Sequence, residues 1–198
     1  MAEDTMIKIA VVVGSTRPGR KAPAVANWVH TRAAARTDAE FEVVDIASFD
    51  LPLLDEPVPP SQGAYSQNHT KRWAETIARF DGFIFVTPEY NHGTSAALKN
   101  AIDFLYAEWN NKAAAFVSYG SIGGARAVEQ LRLVMAELQI ADVRAQVMLM
   151  LDADFDEHGQ CKPRPTAEGF LDALLDQLVT WSEAMRSVRV QHGWLAVS

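Results

Sequence analysis

Five short apolar runs punctuate the chain: Ile7–Val13, Phe41–Ile46, Gly82–Thr87, Ala113–Tyr119 and Val143–Leu151. They are largely β-branched or aromatic and are bounded by Gly, Pro, Asp or Ser, so each predicts a strand. Runs of this kind read as strands buried on both faces, the pattern of a parallel sheet. Between them the apolar spacing turns helical. Ala127, Leu131, Val134 and Leu138 share one face, as do Phe170, Leu174, Leu178 and Trp181. Thr166, just after Pro165, is the expected N-cap of the last helix. Residues 94–109 read as one helix with apolar residues on more than one face: Ala97, Ala101 and Leu105 along one, and Ile102, Phe104, Tyr106 and Trp109 elsewhere. A helix covering a sheet needs a single stripe, so the surplus predicts a partner surface; deeper burial within the chain, under residues 186–198, is the competing reading.

Five strands alternating with five helices predict an α/β fold: a doubly wound sandwich in which 198 residues form a single domain. A chain of this length buries roughly 70% of its unfolded surface and needs no staple. In such sheets ligands gather outside the carboxyl ends of the strands. The loops after strands one, three and four should therefore carry the chemistry, and they hold the unusual residues: 14–20, 88–93 and 120–124.

Composition narrows the ligand. The net charge of −7 argues against nonspecific binding to nucleic acid or anionic membrane. The single cysteine, Cys161, excludes an internal disulfide framework and gives no Cys-x-x-Cys pair. The five histidines stand singly, without the spacing of a metal site. Residues 1–6 are acidic and the run 7–13 is too short for a signal sequence or a membrane span, so a cytoplasmic protein is expected.

Against that acidic background, Gly14-Ser-Thr-Arg-Pro-Gly-Arg20 stands out. A strand, then hydroxyls, glycines and guanidinium groups, then a helix N-terminus, is a receptor for phosphate. Arg17 and Arg20 offer charge-assisted bonds. A P-loop would continue with Lys and a Ser or Thr for magnesium, whereas Arg20 and Lys21 follow here. The Gly-x-Gly-x-x-Gly fingerprint and the Gly-x-Ser-x-Gly elbow are also absent. A phosphate monoester on a planar ligand remains.

Pro88-Glu89-Tyr90-Asn91-His92-Gly93 supplies an aromatic face at Tyr90 and a donor and acceptor at Asn91, although a capped turn with Thr94 or Ser95 as N-cap also fits. Ser118-Tyr119-Gly120-Ser121-Ile122-Gly123-Gly124 lets backbone approach a flat ring, or serves only a tight strand-to-helix turn. Two longer connections, 47–65 with four prolines and the acidic 152–165, read either as functional loops or as plain surface crossovers.

Taken together, Gly-Ser-Thr-Arg-x-Gly-Arg at 14–20, Leu-Pro-Leu-x-Asp-Glu at 51–56 and Pro-Glu-Tyr-Asn at 88–91 resemble the NADPH-dependent FMN reductase family. Leu-Lys-Asn-Ala-Ile-Asp at 98–103 and Ser-Tyr-Gly with Gly-Gly-x-Arg at 118–126 complete the set, which covers about residues 6–150. The resemblance implies a flavodoxin-like sandwich with parallel strand order 2-1-3-4-5 and helices on both faces. It implies FMN as cofactor and NADPH or NADH as co-substrate. Ser15, Thr16, Arg17, Gly19 and Arg20 would bind the phosphate end, Pro88, Glu89, Tyr90 and Asn91 the isoalloxazine, and Ser118, Tyr119, Gly120 and Gly123 the opposite wall. Amides of 120–124 are candidate donors to the flavin N1–C2=O edge.

The implied activity takes hydride from NAD(P)H onto flavin and passes electrons to a second acceptor: free FMN, a quinone, an azo compound or a metal oxyanion. No catalytic side chain and no metal is expected, because the flavin carries the chemistry. The resemblance also implies a homodimer, with a tetramer as an extension. A flavodoxin-like electron carrier without enzymatic activity is the alternative.

Overall fold

The computed structural model describes residues 6–193. Strands β1 (Ile7–Val13), β2 (Ala39–Asp45), β3 (Gly82–Pro88), β4 (Ala113–Gly120) and β5 (Ala141–Met150) pair in parallel in the order β2-β1-β3-β4-β5. This is the order the resemblance implies. All five strands fall where the apolar runs predict them, to within two residues at either end.

The pleat sorts each strand's side chains between two cores. Ile9, Val11 and Val13 of β1 join Ile84, Val86, Ala115 and Val117 under α1 (Ala22–Ala33) and α5 (Pro165–Gln191). Ala10, Val12, Phe83, Phe85, Ala114 and Phe116 face α2 (Asn68–Ala78), α3 (Ala96–Asp103) and α4 (Ala125–Glu137). The second core is aromatic. Trp109 lies edge-on to Phe83 at 4.8 Å and to Trp73 at 6.2 Å, and Phe85 stacks near Phe116 at 6.0 Å.

That core explains two departures from the sequence reading. The helix expected over 94–109 stops at Asp103, and the chain turns so that Trp109 donates its indole N–H to Ile102 O at 3.0 Å. Ile102, Phe104, Leu105 and Trp109 are all buried inside the chain, against Trp73, Phe83 and Phe85. The surplus apolar residues therefore give no argument for a partner surface, and what covers them is the second core; of the expected cover 186–198, residues 186–193 are not part of that core and 194–198 lie outside the described residues. Similarly, Thr166 is not an N-cap. Pro165 occupies the first helical position and Arg164 the cap, as proline's fixed φ and missing N–H favour.

Order 2-1-3-4-5 makes β1 and β3 neighbours whose following helices leave to opposite faces. A crevice opens at such a switch point, and the loops after β1, β3 and β4 border it. The opposite, amino edge is closed by charge. Asp81, just before β3, accepts from Lys8 N at 3.0 Å and from the guanidinium groups of Arg186 and Arg189. Lys112 donates to Ile77 O and Ala78 O at the end of α2, and burial with Arg189 nearby pushes its ammonium down to about 7.

Candidate active site at the carboxyl edge of the sheet

The loop after β1 is set by its own sequence. Arg17-Pro18-Gly19-Arg20 closes a turn with Arg20 N donating to Arg17 O at 3.0 Å, and Gly19 takes φ +70°. Proline then glycine at the two central positions is the signature of a type II turn. Gly14 lies so close to β3 and α3 that an added Cβ would meet Val86 O at 2.6 Å and Leu98 at 2.8 Å. Ser95 caps α3 by accepting from Leu98 N at 3.0 Å and donates to Gly14 O at 2.6 Å, pinning the same loop.

Within that loop the residues divide. Thr16, Arg17 and Gly19 are exposed, while Ser15 is buried with its Oγ 3.2 Å from Tyr90 Oη. Arg17 stands over the Tyr90 ring at 5.9 Å. Arg20 instead turns toward β2: its guanidinium grips both carboxylate oxygens of Asp45 at 2.7 and 2.6 Å and also donates to Ser15 O. Arg20 thus braces the loop, and Asp45 is a site residue the sequence reading did not name. Its position at the end of β2, on the ligand edge, was the available signal.

After β3, Tyr90 and Gly93 exchange two backbone hydrogen bonds of 2.8 and 3.0 Å, closing a two-residue turn. Asn91 and His92 occupy its tip at φ +50° and +70°. This is the left-handed pair of a type I′ turn, which asparagine tolerates and histidine adopts less readily. The turn is held from α4, where Gln130 donates to His92 O at 2.8 Å and Arg126 to His92 Nε2 at 2.8 Å.

Glu89 locks the second and third loops together. Its carboxylate, nearly fully buried, accepts from the Arg126 backbone N at 3.1 Å and from the Arg126 guanidinium. Burial alone would raise its pKa, but the Arg126 bonds and the amides of Arg126 and Ala127 outweigh it and hold the carboxyl below its ordinary value. Glu89 therefore serves as the anion at the start of α4, whose own N-cap Gly124 offers no side chain. These amides are not offered to a ligand. Ser118 is likewise committed, donating to Gly123 O at 2.6 Å and accepting from Gln146 at 3.1 Å. The glycines of this loop are needed where they stand: a Cβ on Gly123 would strike Met148 at 2.7 Å, and one on Gly124 would strike Ser118 at 2.7 Å.

Two further segments frame the edge. Asn100 of α3 accepts from Leu54 N at 3.0 Å and donates to Pro52 O at 2.7 Å, clamping the proline-rich 47–65 connection beside the first loop. Between them lies a cavity of about 320 Å³ lined by Thr16, Asp50, Leu51, Ala97 and Asn100. A larger one, about 420 Å³, is lined by Lys8, Glu40, Arg79 and Phe80 at the amino edge, away from these loops. The 152–165 loop is tied by Asp154, which accepts from Met150 N, Arg164 N and the Arg164 side chain. It sets Phe155 against Tyr119 at 5.9 Å and under Lys21 at 4.9 Å, so it backs the start of α1. Cys161, inside it, is pushed up to about 12 by burial and stays a thiol.

A family model described as NADPH-dependent FMN reductase matches residues 7–154, which takes in all three loops. The chain belongs to that family. It is an FMN-dependent oxidoreductase that uses NAD(P)H. An NAD(P)H-dependent FMN reductase of Schizosaccharomyces pombe is 42% identical over 158 residues, covering 79% of each chain. A quinone reductase of Pseudomonas putida is 32% identical over 191 residues, covering 91% of this chain and 97% of that one. Among solved structures, the flavoenzyme NAD(P)H:(acceptor) oxidoreductase FerB from Paracoccus denitrificans aligns with a TM-score of 0.70 at 23% identity, over 91% of this chain and 99% of that one, a likeness of fold.

The donor set fits FMN. The exposed Arg17 cation and Thr16 hydroxyl at the first loop have the chemistry a phosphate needs, and the exposed Tyr90 ring and Asn91 amide at the β3 loop the chemistry a planar heterocycle needs. When bound, FMN would supply the hydride acceptance and release.

Proposed function

We propose that this chain shuttles two electrons from NAD(P)H through FMN to a small planar acceptor of the quinone class, in alternate visits to one site. The observation that carries the reading is the division of labour at the carboxyl edge. Internal bonds fix Ser118, Glu89, Arg126 and His92 into a rigid frame, while Thr16, Arg17, Tyr90 and Asn91 remain exposed. Such a frame holds a ring flat and leaves one face accessible to a second flat molecule, as transfer between atoms about 3–3.5 Å apart requires. Thr16 and Arg17 orient the phosphate end, and Tyr90 and Asn91 the ring. The described fold acts as one flavin-binding unit.

Relatives named as quinone reductases in Pseudomonas putida and Escherichia coli support the acceptor class. The test is steady-state kinetics with NADPH and a soluble benzoquinone. Parallel double-reciprocal lines are expected; intersecting lines would exclude alternate visits. Bound flavin that NADPH fails to bleach would point instead to an electron carrier. A cytoplasmic homodimer completes the proposal, with Leu53 (82% exposed) and Leu54 (42% exposed) offering apolar area to a second copy. Gel filtration showing monomer alone would remove the dimer.

A further inference from the structure

Four helices begin against a protein acceptor or an acidic residue. Ser95 caps α3, and Glu89 takes the first amides of α4. Glu56 accepts from Ser66 N and Gln67 N at the start of α2, and Glu168 lies in the first turn of α5. The start of α1 differs: its N-cap Lys21 makes no side-chain cap bond, its first turn has no acidic residue, and Arg17, Arg20 and Lys21 precede it. Pro23 removes one amide from that turn.

One buried group is aimed at this place. Tyr119, only 5% exposed, reaches from β4 toward α1, with the Ala22 amide directed at its oxygen, and its hydroxyl proton meets no acceptor among the described residues. Its neighbours are the Ala22 amide that opens α1, the guanidinium groups of Arg17 and Arg20, and the Tyr90 phenol. The Tyr90 hydroxyl pairs with Ser15 and makes no bond to Tyr119. An amide and two guanidiniums are donors, so none of them accepts the Tyr119 proton. A buried hydroxyl left without an acceptor is costly, and beside a helix N-terminus and the uncommitted Arg17 cation the acceptor that suits it is an anion. Burial, with Tyr90 beside it, raises the phenol well above its ordinary value, so it stays a donor.

We propose that Tyr119 is a ligand of the FMN phosphate, donating its hydroxyl proton to a phosphate oxygen held at the start of α1, rather than a wall of the isoalloxazine slot. This rests on the flavin reading above. It also assigns the 152–165 loop a purpose, because Phe155 packs on the Tyr119 ring and keeps it pointed at α1.

The test compares FMN with riboflavin, which shares the ring and ribityl chain but lacks the phosphate. Apoprotein of wild type and Tyr119→Phe is titrated with each flavin by fluorescence quenching, and its Tm is measured. The variant should bind FMN on the order of tenfold more weakly, as expected for a lost bond to a charged group. Riboflavin affinity should be unchanged. Its Tm should change little, because the hydroxyl donates to no protein acceptor among the described residues. Equal weakening for both flavins would restore the ring-wall role and overturn the proposal, as would an FMN affinity equal to wild type. Wild-type protein that binds neither flavin would overturn the flavin reading itself, a distinct failure.

Discussion

At the start of α4 a buried carboxylate, Glu89, meets the Arg126 amide and guanidinium. At the start of α1, on the same sheet edge, the chain places arginines, a lysine and a phenol whose proton meets no acceptor among the described residues. Both positions carry the partial positive charge of a helix N-terminus. One is neutralised from within and becomes structure. At the other, Asp45 pairs with Arg20, while Arg17 is exposed and the helix start has no acidic residue of its own, which suits an anion from outside. The contrast separates frame from receptor without reference to any relative: where a helix start already has its anion, neighbouring polar residues are braces, and where it lacks one they are ligands.

The hardest test of this contrast is Glu89→Ala. It leaves the α4 amides and the half-exposed Arg126 guanidinium without their anion, at a cost of about 2 kcal/mol. For a domain near this size that corresponds to a Tm drop on the order of 5 °C. Flavin affinity should fall for FMN and riboflavin alike, since the frame beneath the ring loosens. Thermal unfolding of the apoprotein checks the first expectation. An unchanged Tm would mean that Glu89 is not a brace.

The mirror experiment is Arg17→Met at α1. Arg17 is exposed and its one ring contact, with Tyr90, is long at 5.9 Å. The apoprotein should stay within about 0.5 kcal/mol of wild type, while FMN binding weakens roughly tenfold for a lost charge-assisted bond. Added salt should shrink that difference. Arg20→Met should behave unlike Arg17→Met and lower the Tm, because the Arg20 fork on Asp45 ties β2 to the first loop. Equal behaviour of the two arginines would mean that the loop uses both as ligands, as the sequence alone suggests.

Residue type and spacing went far toward the fold. Periodicity located the strands because short β-branched runs bounded by Gly, Pro and Asp suit a two-sided buried strand and are too brief for a buried helix. The end of α3 was hidden. Phe104, Leu105 and Trp109 follow Asp103 without a glycine or proline to mark the stop, and aromatic residues on several sides look the same whether they meet a partner or fold back onto Trp73 and Phe83. At the site, the loops were legible and the roles inside them less so. Arg17 and Arg20 are chemically identical in the sequence, and only the proximity of Asp45, 25 positions beyond Arg20, distinguishes them. The same holds for Glu89, whose partner Arg126 lies 37 positions away, and for Tyr119, whose side-chain direction depends on which sheet face β4 presents to α1.

The smallest expected effect, and the one that separates the two helix starts most cleanly, is in pH. The Glu89 carboxyl has a folded-state pKa below its ordinary 4.5. Its contribution to stability is therefore complete above that value and is lost only as pH falls through the lower folded-state value. Between pH 7.5 and about 5 the Glu89 carboxylate should therefore stay ionised and keep its bonds to Arg126. A phosphate monoester changes charge in that interval, with a second pKa near about 6. If the start of α1 is balanced by the ligand's own charge, FMN should bind a few-fold more weakly at pH 5 than at pH 7.5 while riboflavin affinity barely moves. Riboflavin has no such group and is the control for any protein group titrating nearby. An FMN profile parallel to that of riboflavin would mean that the start of α1 holds no phosphate, and the distinction between the two helix starts would lose its chemical basis.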